Sequence, residues 1–183
     1  MNLTSFARPV LLRRAKKIDR YFTHAEEIQR AVLARLIKNA AKTEWGQKYG
    51  YADLKDYEAF AAAVPLNDYE TLKEPIDRMR HGEKDVLCKG KVKWYAKSSG
   101  TTNDKSKFIP VSKAYLKDTH YKGGADVVAL YLSNNPESRI FDGRALILGG
   151  SHAPNYDTKN SLVGDLSAIL IENISPAVNF FRI

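Results

Sequence analysis

The chain has 183 residues, 44% of them hydrophobic, and carries 29 Lys and Arg against 21 Asp and Glu, for a net charge of +8. This is enough apolar material for a core and excludes a disordered tail, while a lone cysteine, Cys88, excludes an internal disulfide framework. Met1 to Phe6 lacks a cationic segment leading into an apolar core, and no run reaches the roughly 18 to 20 apolar residues of a membrane span, so a cytoplasmic protein without membrane contact is expected.

The chain reads as helical first and as alternating strand and helix later. Arg8, Arg13, Arg14, Lys16, Lys17 and Arg20 read as the solvated face of a helix. Thr23 and Glu26 form a capping box for a helix with Ile28, Leu33, Leu36 and Ala40 on one broad face, ending before Trp45-Gly46. A shorter helix around Leu54 to Ala63 is stopped by Pro65. Thr71 and Glu74 offer another capping box, with Pro75 in the first turn and Gly82 past the last. These helices read as packing scaffold.

A strand is expected over Lys91 to Lys97, with Val92, Trp94 and Ala96 on one face and Lys93, Tyr95 and Lys97 on the other. It leads off a sheet edge into Ser98, Ser99, Gly100, Thr101, Thr102, Asn103, Asp104, Lys105, Ser106, Lys107, closed by Phe108-Ile109-Pro110. These residue types suit a polyphosphate: glycine lets the backbone approach, hydroxyls add short donors, and lysine adds point charge. The spacing is not that of a Walker loop, because no second glycine precedes Lys105-Ser106, so a P-loop NTPase is a poor fit. Composition alone leaves a phosphate cradle level with a plain solvated turn. Lys89, Lys91, Lys93, Lys97, Lys105, Lys107, Lys113 and Lys117 surround the loop in sequence, and Asp104 is the one acid from 89 to 117, a distribution that would focus anions there. Nucleic acid is the rival partner for such charge, yet no helix-turn-helix, zinc-knuckle or ribonucleoprotein pattern accompanies it.

Past the loop, Phe108 to Val111 reads as a strand and Ser112 as the N-cap of a helix with Gly124, Val127, Val128 and Tyr131 on one face. Gly123-Gly124 would each weaken that helix by about 1 kcal/mol and mark a break or a close backbone contact. Arg144 to Gly150 reads as a buried strand ending in Gly149-Gly150-Ser151-His152, a second small-residue turn that could share a site with the first. His152 reads first as part of that turn and only second as a ligand contact. No Gly-x-Ser-x-Gly elbow supports Ser99 or Ser151 as an acyl nucleophile, and His24, His81, His120, His152 and Cys88 show no metal-ligand spacing.

In order, Ser-Ser-Gly-Thr-Thr, four residues, Lys107, two apolar residues and Pro110 resembles the phosphate loop of adenylate-forming enzymes, and more closely that of the auxin-responsive promoter family of acyl-acid amido synthetases. The resemblance extends to Thr43-Glu-Trp-Gly46, Lys48-Tyr-Gly50, Val64-Pro65 with Tyr69, Ile76-Asp-Arg-Met79, Gly82-Glu83, Gly164-Asp-Leu-Ser167 and Ser175 to Phe181. The loop departs from many adenylate-forming loops in having Asn103, Asp104, Lys105 and Ser106 where a second glycine is common.

The resemblance implies an α/β fold: N-terminal helices (1–85), then an α/β portion with the phosphate loop (86–183), together a partial, truncated N-terminal domain of the luciferase and acyl-CoA synthetase type. It implies ATP and Mg2+ as cofactors, a small carboxylic acid and an amino acid as substrates, and an acid-amino acid ligase. Ser98, Ser99, Thr101 and Thr102 would bond the phosphates, Gly100 would allow close approach, and Lys107, with Lys105 as second choice, would offset their charge. Family members are far longer, which accounts for the apolar Asn179-Phe-Phe-Arg-Ile183 ending and implies that this length of chain is inactive alone. A ligase to coenzyme A, or a noncatalytic nucleotide or nucleic-acid binding module, remain the alternatives.

Overall fold

A computed structural model describes residues 3–98, 106–150, 152–154 and 158–176, with 152–154 described as backbone. Its elements are α1 (Leu3–Thr23), α2 (Ala25–Ala40), α3 (Glu44–Lys48), a 3-10 turn (Tyr51–Asp53), α4 (Tyr57–Ala63), α5 (Tyr69–Arg80), β1 (Trp94–Lys97) and β2 (Phe108–Val111). There follow α6 (Lys113–Tyr115), a π-helical segment (Leu116–Tyr121), α7 (Lys122–Asn134), β3 (His152–Pro154), β4 (Leu162–Gly164) and α8 (Leu166–Glu172). The fold is therefore a helix-rich α/β one with a small sheet, as expected. The chain forms two compact units, one of Met1–Ala25, Lys113–Gly149 and Leu170–Ile183, the other of Glu26–Ser112 and Gly150–Ile169.

In the first unit α1 packs on α7. Ala15 from α1 and Ala129 and Leu132 from α7 are buried, and small residues at Ala15 and Ala129 let the helices approach. Arg8 and Arg14 are not on a solvated face. Arg8 donates to the carbonyls of Leu132 (3.0 Å) and Ser138 (2.8 Å) at the end of α7, where helix carbonyls lack partners, and Arg14 pairs with Asp126 at 2.6 Å. Thr4, also buried, donates to Asp142 Oδ1 and accepts from the Phe141 amide at 2.9 Å. The remaining basic residues of that cluster, Arg13, Lys16, Lys17 and Arg20, are exposed.

Three expectations for this part of the chain fail. On α7 the buried positions are Ala129 and Leu132, while Val127 and Tyr131 are exposed, so the helix turns its small and aliphatic face inward rather than the bulkier one. Gly123 and Gly124 mark neither a break nor a close contact; a side chain there would meet nothing within 4 Å, and the irregular π-helical stretch lies just before them. Arg144 to Gly150 forms no strand, and Leu146 and Leu148 are 69% and 84% exposed. An apolar run makes a strand only where a neighbouring strand receives its backbone.

The second unit holds the sheet, in the order β2-β1-β4-β3. β1 is antiparallel to β2 and parallel to β4, and β3 is antiparallel to β4. β1 is thus an inner strand, and Trp94, Tyr95 and Ala96 are all buried, against the alternation expected for a half-exposed strand. Ile76 and Met79 of α5 pack with Val86, Val92 and Tyr95 as the core, joined by Tyr69, Leu72, Cys88, Phe108 and Val163. Burial of each large side chain contributes about 1.5–3 kcal/mol. It also raises the Tyr95 hydroxyl and Cys88 thiol pKa values above their ordinary range.

Local sequence explains how the helices of this unit begin and end. α5 starts at Tyr69, ahead of the Thr71 cap expected, because Asp68 is the cap: its carboxylate accepts from the Thr71 amide (2.9 Å) and hydroxyl (2.8 Å), bonds that lower its pKa. Pro75 consequently lies inside the helix. The end is as expected: Gly82, with φ of 101°, lets its own amide reach Met79 O (3.0 Å) and that of Glu83 reach Arg78 O (3.1 Å). Arg78 bonds the carboxylates of Glu44 and Glu83, which fastens α3 to the end of α5 and holds both acids below their usual pKa. Asp56 caps α4, which Val64-Pro65 ends. Thr23 closes α1 rather than capping α2, and on α2 Ile37 is buried while Leu36 is 53% exposed, so the inner face follows Leu33, Ile37 and Ala40.

Candidate functional site: the carboxyl end of the inner strands

β1 and β2 form a hairpin whose connection is the segment rich in Ser, Thr and Lys. The pairs Trp94 with Val111 through Lys97 with Phe108 set its register, and the Ser98 amide continues the ladder by donating to Lys107 O at 2.9 Å. Ser98 and Lys107 therefore face each other across the base of the loop. Of the other expected site residues, Ser99, Gly100, Thr101, Thr102 and Lys105 lie outside the described residues. The loop leaves the carboxyl end of an inner strand, not a sheet edge.

Because β4 runs parallel to β1, with Ala96 opposite Gly164, Asp165 leaves the sheet at the same end as the loop. β3 runs the other way, with His152 opposite Gly164, so the chain entering β3 arrives at that end too. There the Gly150 amide donates to Ser167 Oγ at 3.0 Å. A Cβ on Gly150 would lie 2.0 Å from Asp165 Oδ2, so a side chain there would force Asp165 to shift. Three segments thus converge: the loop's base at Ser98 and Lys107, Asp165 with Ser167 at the start of α8, and Gly150 ahead of β3. The small-residue turn at Gly150 does share this end of the sheet with the loop, although it precedes β3 instead of closing a strand over 144–150. His152 opens β3, and its backbone pairs with Gly164.

The lysine surround is thinner than the sequence implies. Lys89, Lys91 and Lys93 precede β1 and stand toward its amino end, where Lys91 donates to Asn160 at 2.7 Å and the Lys93 ammonium lies 5.6 Å from the Trp94 ring centre. Among the described residues of this unit, Lys97 and Lys107, both exposed, flank the loop. The Lys107 ammonium lies 5.4 Å from the ring centre of Tyr69, and the Tyr69 hydroxyl accepts from the Phe108 amide at 2.9 Å. Tyr69, Asp165 and Ser167 stand within the motifs above without any mark of this placement; the separation of Tyr69 from Phe108 by 39 positions leaves no local signal. Among the described residues no group of three or more His, Cys, Asp or Glu is gathered as a metal would need.

A profile of the GH3 family N-terminal domain matches residues 14–179. The chain is 31% identical over 100 residues to the indole-3-acetic acid-amido synthetase GH3.6 of Arabidopsis thaliana, covering 54% of this chain and 16% of the relative. It is 31% identical over 102 residues to the 4-substituted benzoates-glutamate ligase GH3.12 of the same organism, covering 55% and 18%. To the jasmonoyl-L-amino acid synthetase JAR6 of Nicotiana attenuata it is 29% identical over 96 residues, covering 52% and 17%. Among solved structures, the GH3.15 acyl acid amido synthetase superposes with a TM-score of 0.72 at 20% identity, over 88% of this chain and 29% of that one, a likeness of fold. The chain thus matches less than a fifth of the length of these curated relatives. With its loop, its flanking motifs and its N-terminal fold all in agreement, the chain belongs to the GH3 family.

Proposed function

We propose that these residues form the nucleotide-binding part of an ATP-dependent acid-amino acid ligase, which adenylates a small carboxylic acid and passes its acyl group to an amino acid amine. The observation that carries this reading is the hairpin loop at the carboxyl end of β1 and β4, the side of an α/β sheet where ligands gather, with Lys107 exposed at its base. The names of the relatives, all amido synthetases or ligases, support the acid and amine as substrates. Because the chain matches so little of their length, the reaction belongs to a longer protein carrying this segment, and the segment alone is expected to be inactive. A cytoplasmic location is part of the same reading; among the described residues no helix is long and apolar enough to cross a membrane.

The residues present suit the group. A carboxylate is a poor electrophile, and ATP supplies the leaving group it lacks. The hydroxyls of Ser98, Ser99, Thr101 and Thr102 would donate to phosphate oxygens, and Gly100 would let backbone amides come within bonding range. The Lys107 ammonium, with Lys105 as second cation, would offset the negative charge of the bound phosphates. Mg2+ would be carried mainly by phosphate oxygens and water. In this reading residues 1–85 serve as scaffold and 86–183 carry the loop.

The test is acid-dependent exchange of pyrophosphate into ATP by the full-length protein. Lys107→Ala is expected to slow exchange by about 100- to 1000-fold, the range for removing one group that stabilises transition-state charge, and Ser99→Ala to reduce it as well. Exchange at the parent rate in both variants overturns the site assignment. Salt-sensitive nucleic-acid binding with no exchange across a broad panel of acids would instead favour a binding module.

A further inference from the structure

We propose that Tyr69 is a positioning residue for Lys107, so that α5 sets the geometry of the phosphate loop from below; this rests on the nucleotide-binding reading above. The Tyr69 side chain makes two contacts at the loop's base. Its hydroxyl accepts from the Phe108 amide at 2.9 Å, and its ring lies 5.4 Å from the Lys107 ammonium, within the range of a cation–π contact. One side chain thus holds the backbone just after Lys107 and the charged end of Lys107 itself. A lysine carries a long, flexible stem, and each contact that restricts it lowers the ordering cost of placing its charge at a phosphate.

Tyr69 is itself fixed. It opens α5, whose first turn is locked by the Asp68 cap, and its ring packs with the core around Ile76 and Met79. The far end of the same helix grips the same strand residue: the Arg80 guanidinium stacks 3.9 Å from the centre of the Phe108 ring. Phe108 is therefore held by its amide at one end of α5 and by its ring at the other. On the opposite arm of the hairpin, Ser98 is tied to Lys107 through the backbone bond at 2.9 Å. A loop built to bind a rigid polyphosphate gains from such a fixed base, since supporting groups left loose forfeit the binding geometry.

The test uses the full-length protein and pyrophosphate exchange, with KM for ATP separated from kcat. Tyr69→Phe keeps the ring and loses the acceptor; it is expected to raise KM for ATP about fivefold, the worth of one hydrogen bond, with kcat within about twofold and a melting temperature lowered by only a few degrees. Tyr69→Leu loses both contacts and is expected to raise KM about tenfold or more. In a Lys107→Met background the effect of Tyr69→Leu should shrink to less than about twofold, because its target is gone. An equal effect with and without Lys107, falling in step with melting temperature, makes Tyr69 a packing residue and overturns the proposal. Exchange that Lys107→Met lowers but both Tyr69 variants leave unchanged overturns it alone, whereas no exchange by the parent with any acid overturns the ligase reading beneath it.

Discussion

Two apolar stretches, Lys91 to Lys97 and Arg144 to Gly150, look alike in sequence and end differently. The first becomes β1, flanked by β2 and β4, with Tyr95 wholly buried; the second forms no strand, with Leu148 84% exposed. What separates them is the partner. β1 has a hairpin arm in β2 and a parallel neighbour in β4, while among the described residues no strand pairing runs along residues 146–148. Hydrophobic content therefore tells which segments can be strands, and backbone pairing tells which are.

The contrast can be broken or sharpened by measurement on this chain. Tyr95→Ala is expected to lower unfolding free energy by about 3–5 kcal/mol in a urea titration, since the deleted ring leaves a cavity beneath α5. A loss below about 1 kcal/mol would mean that β1 is no more enclosed than the second stretch. Hydrogen exchange should show amides of β1 protected at least about a hundredfold over those of residues 146–148, because ladder bonds of an inner strand open only with the larger unit. Equal protection would erase the difference. Leu148→Ala should change stability by no more than about 0.5 kcal/mol, and a larger loss would show this side chain to be packed.

The same physics decides what was legible in advance. Helix ends are legible where a stopper stands beside the segment, as at Val64-Pro65 and Gly82, whereas α4 begins at Tyr57 behind Asp56 and not at Leu54. The start of α5 is ambiguous in sequence because two adequate caps, Asp68 and Thr71, lie three residues apart, and the carboxylate wins by accepting from both the amide and the hydroxyl of the other. Faces of α2 and α7 were misjudged by one position each, because Leu36 and Tyr131 are apolar enough to be inside and only packing shows that Ile37 and Leu132 are. Of the expected loop residues, Ser98 and Lys107 stand at the base of the hairpin loop, whereas Asp165 and Ser167 reach the same end of the sheet through strand direction and Tyr69 reaches it from α5, which no local pattern encodes.

The parallel pairing of β1 with β4 also has a temporal side. Trp94 meets Leu162, and the segment between them closes a long loop, so the pair can form only after the residues near 164 have left the ribosome. The β1–β2 hairpin needs no such delay, being local. A nascent chain therefore has both arms of the hairpin first, and acquires Asp165 and Gly150 beside its loop last. An insertion between β2 and β4 would lengthen that wait at little cost to final stability, and would show itself in slower folding before it showed in a weaker fold.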